Sequence, residues 1–80
     1  MYKPRKNTII LPITKKEVTI REPLVRDQLA VAHIDNDIER GIALISNLTE
    51  IPKEELEELP IVDFETIDKE VDKLMSMGKQ

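Results

Sequence analysis

The order of apolar and polar positions divides the chain into a β-rich beginning and a helical remainder. Segments 8–13 and 18–21 are rich in β-branched residues, which favour strands. They flank the polar stretch Thr14-Lys15-Lys16-Glu17. Antiparallel pairing across that stretch sets Ile13 opposite Val18 and Leu11 opposite Ile20. Strand side chains alternate, so these four share one apolar face. Thr14 with Glu17, Pro12 with Thr19 and Ile10 with Arg21 fall on the other face. The connection has no Gly or Asn for a tight primed turn, which points to a four-residue loop. Pro12 lacks an N–H and suits an edge strand. A lone hairpin is marginal in water, so its apolar face must pack on other elements of the chain.

From Pro23 onward the period changes to that of helices. Pro23 ends the strand and suits a first helical turn. A helix is expected from Leu24 to about Ile34, with Leu24, Val25, Leu29 and Ala32 as buried candidates. Asp35-Asn36-Asp37 is a break, and Asp37 is placed to cap a second helix from Ile38 to Leu48. Ile38, Ile42, Ile45 and Leu48 or Thr49 follow helical spacing in it, and Gly41 is either a weak spot or a place for close packing. Pro52 opens a short acidic helix to Leu59, with Leu56 and Leu59 inward, and Pro60 stops it. Val62 or Asp63 begins the last helix, which runs to about Met77 before Gly78. Phe64, Ile67, Val71 and Leu74 form its apolar stripe, and Glu65 with Lys69 and Glu70 with Lys73 are supportive pairs on its outer face. The expected fold is α+β: an N-terminal β-hairpin followed by three to four short helices. Residues 1–80 make a single small domain, with 1–6 a flexible tail, 7–21 the hairpin and 23–77 the helical part.

Composition narrows the function. With 80 residues and 2% aromatic content, the core must be built from Ile, Leu and Val. A chain of this size has a thin margin of stability, and without cysteine it has neither disulfides nor thiolate metal sites to add to it. No apolar run approaches a membrane span, and no apolar segment follows the basic Lys3, Arg5 and Lys6 as an export signal would require. Residues 1–34 carry a net +4, and residues 35–80 a net −8. The acidic second half argues against wrapping nucleic acid, which needs clustered Lys and Arg.

Candidate chemistry is sparse. His33 with Asp35 and Asp37 is the one group that suggests a metal, but a single His with acids at a helix junction is not a rigid ligand set. Neither a metal nor another cofactor is expected. The run Glu54, Glu55, Glu57, Glu58 reads as the solvated face of a short helix, and two glycines, Gly41 and Gly78, make no phosphate loop. A self-sufficient enzyme does not fit; a binding module does. The stripe Phe64, Ile67, Val71, Leu74 has two readings. It packs on the hairpin and the other helices, or part of it, with Met75 and Met77, is presented to a helical partner. The two methionines lie off the stripe and are the better partner candidates.

Two runs resemble a known family. They are Val18-Thr19-Ile20-Arg21-Glu22-Pro23-Leu24-Val25-Arg26-Asp27 and the segment from Ile42 through Leu48-Thr49-Glu50-Ile51-Pro52-Lys53-Glu54-Glu55-Leu56, followed by Leu59, Val62-Asp63-Phe64 and the terminal helix. From about Thr8 to Leu74 the chain resembles the short tail-assembly chaperones of contractile-tailed phages, typified by Mu-like and P2-like phages. Three departures stand out: Glu50 where relatives have Gly, so that the turn is expected to be tighter or more helical; Phe64 where Tyr is usual; and a shorter hairpin loop without Gly. The resemblance implies a non-enzymatic phage or prophage protein that binds the helical tape-measure protein and keeps it soluble before tail-tube polymerisation. It implies a link to the tail tube protein through a longer, frameshifted form, action in the cytoplasm of the bacterial host, and absence from the mature virion. Two other readings remain: a small DNA-binding phage regulator using the basic first half, and a structural head–tail joining component. The first is disfavoured because its Lys and Arg sit on a tail and hairpin rather than on one recognition helix.

Overall fold

The computed structural model describes residues 1–76. Strands β1 (Lys6–Ile10) and β2 (Glu17–Arg21) form an antiparallel hairpin, followed by helices α1 (Val25–Val31), α2 (Asp37–Thr49), α3 (Lys53–Glu57) and α4 (Ile61–Ser76). This is the expected α+β architecture, a hairpin followed by four helices. Helices α2 and α4 both pack on β2. The core lies between them: Leu11, Val18 and Ile20 from the hairpin, Ile45 and Leu48 from α2, Leu56 from α3, and Ile67, Val71 and Leu74 from α4.

The hairpin register differs from the expected one. Val18 pairs with Ile9 and Ile20 with Asn7, a shift of four residues along the first strand. An even shift keeps the same face inward, so Leu11, Val18 and Ile20 are buried as expected while Thr19 stays outside. Ile13 does not join them: it lies in the loop and is exposed. The loop does have four residues, but they are Pro12 to Lys15. It is closed by the Leu11 N–H donating to the Lys16 carbonyl (2.9 Å) and the Lys15 N–H to the Leu11 carbonyl (3.1 Å). Lys15 takes the left-handed conformation, φ 64°, that Gly would have advertised. Pro12 begins the loop, where its missing N–H costs nothing.

A carboxylate from the far end of the chain holds this loop. Asp63, in the first turn of α4, is 0% exposed. Its two oxygens accept from the N–H groups of Ile13 (2.9 Å) and Thr14 (3.0 Å). Burial alone would raise its pKa. The two backbone donors, the Thr14 hydroxyl and the charge of Lys15 outweigh burial and hold it below the ordinary value.

Two more carboxylates fix the other end of the hairpin. Glu22 accepts from the Arg5 guanidinium (2.6 Å), the Arg5 N–H (3.1 Å) and the Tyr2 hydroxyl, and its own N–H donates to the Arg5 carbonyl. The expected tail over 1–6 is therefore shorter: Lys6 belongs to β1, and Arg5 is tied to Glu22. Arg5 also donates to the Leu74 carbonyl in the last turn of α4 (3.3 Å). Asp27 accepts both arms of the Arg21 fork (2.8 and 2.9 Å) and the Leu24 N–H (2.7 Å). This pair sets the rotation of α1. Asp27 and Val31, one turn apart, face inward. The candidates Val25, Leu29 and Ala32 are exposed instead, and Leu24 is half-buried. The helix also ends at Val31 rather than near Ile34.

Asn36, not Asp37, caps α2, its side-chain oxygen accepting from the Ile38 and Glu39 N–H groups (2.9 and 3.0 Å). Ala43, Ile45 and Leu48 are buried, Ile42 is half-buried, and Ile38 is exposed. Gly41 is not a close-packing site, since a Cβ built there has nothing within 4 Å. Glu50 ends the helix in the left-handed conformation, φ 62°, a shape that favours Gly, with its N–H donating to the Ser46 carbonyl. The expected end of α4 near Met77, with Gly78 beyond, lies outside the described residues. Of the two outer pairs on α4, Glu70 and Lys73 approach to 3.9 Å, and Glu70 also accepts from the Asn7 amide.

Gly41→Ala should stabilise the domain by about 0.5–1 kcal/mol, because it restores helix propensity without a clash; urea unfolding checks it. Asp63→Asn should lower the midpoint of thermal unfolding by about 5–10 °C, because the amide accepts from one loop N–H and turns its NH₂ on the other. An unchanged midpoint would show that the loop holds itself. Acid should unfold the protein through the same carboxylates. Glu22 is held at about 2, chiefly by its Arg5 and Tyr2 hydrogen bonds. Asp27 is also lowered, first by Arg21. The unfolded chain titrates these groups at 4.5 and 3.8, as it does Asp63 at 3.8, and so binds more protons between those values and the folded ones. Stability is then whole above about pH 5 and is lost as pH falls towards 2. Circular dichroism against pH reads this, and Glu22→Gln should flatten the curve.

Candidate functional site

Each element leaves a face outside, and the apolar ones are unevenly placed. Ile38 at the start of α2 and Ile61 at the start of α4 are 73% and 75% exposed. Between them runs an open hollow of 160 Å³ lined by Ile38, Ile42, Leu56, Glu57, Leu59, Ile61 and Phe64. Sequence and capping put it there. Asn36 fixes where α2 begins, so Ile38 sits one turn ahead of Ile42. Pro60 receives the Phe64 N–H on its carbonyl and starts α4, so Ile61 sits one turn ahead of Phe64 and Glu65. Asp63, locked on the hairpin loop, holds the first turn of α4 in place. Leu56 is fully buried beneath the hollow, and Ile42, Leu59 and Phe64 are half-buried. Large apolar side chains left open in a concave surface mark contact sites rather than core.

The candidate residues of the last helix separate. Ile67, Val71 and Leu74 are part of the core and offer no surface. Phe64 packs partly on the core and partly lines the hollow. Met75 is 43% exposed near the end of α4, and Met77 lies outside the described residues. Hydrophobic periodicity misses the hollow because it counts Ile38 with the buried stripe of α2 and begins α4 after Ile61. The usable signal is the extra apolar residue one turn ahead of each stripe, Ile38 before Ile42 and Ile61 before Phe64.

The charge around the hollow is negative. Glu57 forms one wall. An adjoining hollow shares Ile42 and Glu57 and adds His33, Ile34, Glu39 and Lys53. Along α4, Glu65 and Asp68 lie one turn beyond Ile61 and Phe64 on the same side of the helix. The Asp68 carboxyl is raised above its ordinary value, first by partial desolvation and then by the charges of Asp72 and Glu65. His33, Asp35 and Asp37 are all exposed, and among the described residues no group of three or more His, Cys, Asp or Glu is arranged to hold a metal ion. No described helix is long and apolar enough to cross a membrane.

The domain thus joins a hairpin and four helices and carries an open apolar hollow with one carboxylate, Glu57, in its wall. Residues 13–76 match the family of phage tail assembly chaperone proteins, E, or 41 or 14, and the chain belongs to that family. It is thus a non-enzymatic protein whose partners are tail proteins. No curated protein and no solved structure matches the chain.

Proposed function

We propose that the protein binds the tape-measure protein of a phage tail, keeping its apolar helices soluble in the host cytoplasm until the tail tube polymerises. The observation that carries this reading is the open apolar hollow of Ile38, Ile42, Leu59, Ile61 and Phe64 in a chain of the tail-assembly chaperone family. A long helical client exposes apolar stripes that aggregate unless covered, and an amphipathic helix laid in an apolar groove is a common mode of recognition. Phe64 and Met75 are the members of the last-helix set that a client can touch. Ile67, Val71 and Leu74 serve it from beneath, by holding α4 on the hairpin.

Ile38→Glu with Ile61→Glu should leave the domain folded, since both side chains are largely exposed and such substitutions change stability by about 0.5 kcal/mol or less. The pair should sharply reduce the soluble tape-measure protein recovered on co-expression, because a carboxylate in an apolar contact is costly. Undiminished recovery with a folded variant would move the client to another surface; Met75→Glu in parallel tests the end of α4.

A further inference from the structure

The acids beside the hollow are placed with respect to it rather than scattered. Glu57 is itself a wall residue. Glu65 follows Ile61, and Asp68 follows Phe64, by one helical turn, so the apolar floor runs directly into a carboxylate strip on α4 that Asp72 extends. Among the described residues, Glu57, Glu65, Asp68 and Asp72 have no ion-pair partner; the pairs that form are Arg5–Glu22, Lys16–Glu55, Arg21–Asp27, Arg40–Asp37 and Lys73–Glu70. Lys53 lies in the adjoining hollow and Lys69 one turn beyond Glu65 on α4, and neither closes on these acids. Glu22, Asp27 and Asp63 act as clamps, and Glu17, Asp35, Glu39, Glu50, Glu54 and Glu58 are exposed acids likewise without an ion-pair partner among the described residues; Glu57, Glu65 and Asp68 differ from these in lying beside the apolar hollow. Asp68 is made harder to ionise first by partial desolvation and then by the charges of Asp72 and Glu65. Like charges held together at the edge of an apolar groove are relieved by a partner that brings the opposite charge, and they reject one that brings more of the same.

We infer that the hollow selects an amphipathic helix whose apolar stripe is bordered by lysine or arginine. The stripe rests on Ile38, Ile42, Leu59, Ile61 and Phe64, while the bordering cations meet Glu57 on one side and Glu65 and Asp68 along α4. The inference rests on the reading of the hollow as the docking site and adds the charge of the occupant. The apolar contacts supply most of the binding. The acids determine which helices are accepted and speed their capture.

The test uses the full chain and two synthetic helical peptides with one Leu/Ile stripe, bordered by Lys in one and by Glu in the other. Fluorescence anisotropy should show the Lys peptide binding at least about tenfold more tightly at low salt, with the preference shrinking as salt rises. Glu57→Lys with Glu65→Lys and Asp68→Lys, all at exposed positions, should reverse the preference while circular dichroism stays that of the folded domain. Equal affinity for the two peptides, a preference that survives charge reversal, or no binding of either overturns the charge selection. The docking site is judged separately with Ile38→Glu and Ile61→Glu. If that pair abolishes recovery of soluble tape-measure protein while the charge reversal leaves it unchanged, the groove reading stands and the charge selection falls. If the pair changes nothing, the groove reading falls as well.

Discussion

The structure depends on a buried carboxylate that joins two distant parts of the chain. Asp63 takes the N–H groups of Ile13 and Thr14, and so a helix turn and a hairpin loop become one unit. Neither would be well defined alone. A two-stranded ribbon is marginal in water, and its loop contains a non-Gly residue, Lys15, in the left-handed conformation. A buried carboxylate without donors would be expensive. Together the loop donors and the carboxylate satisfy each other, and the apolar side chains of β2 close over α4 behind them. Glu22 and Asp27 repeat the device at the other end of β2, so acids clamp the hairpin at both ends.

Much of this fold is legible in the sequence, because periodicity is a strong signal. The apolar run of the hairpin, the stripe Phe64, Ile67, Val71, Leu74 and the prolines at 23, 52 and 60 place the elements close to where they occur. Features that depend on a partner far away in the chain are not legible. The register of the hairpin is one case. The two candidate registers differ by four residues, and both put Leu11, Val18 and Ile20 inside. The choice rests on a loop conformation that Lys15 does not announce and on a carboxylate about fifty residues downstream. The rotation of α1 is another. By hydropathy Val25 and Leu29 should face inward, but the Arg21 fork captures Asp27 and turns them out. The Arg-Glu-Pro junction carries part of the family resemblance, and its physical meaning is this ion pair together with the Arg5–Glu22 bond.

The candidate site is less legible than the fold. Hydrophobic periodicity marks residues that could be buried without telling which of them the fold leaves open. Ile38 and Ile67 look alike by spacing; the first stands at the helix start beyond the reach of the hairpin, and the second is covered by it. The acidic run of α3 reads as solvated, and most of it is. Glu57 differs because the chain places it at the wall of an apolar hollow.

The Asp63 clamp also bears on the order in which the domain can mature. Synthesis delivers the hairpin first, yet the carboxylate that fixes its loop is made 49 residues after Thr14. Until it arrives, Val18 and Ile20 have neither α4 nor a defined loop to settle against. The early part of the nascent chain therefore waits, its strand edges unpaired with the rest of the fold, until the start of the last helix has left the ribosome. The closing of the hairpin loop onto one aspartate can come only after the first turn of the last helix has been made.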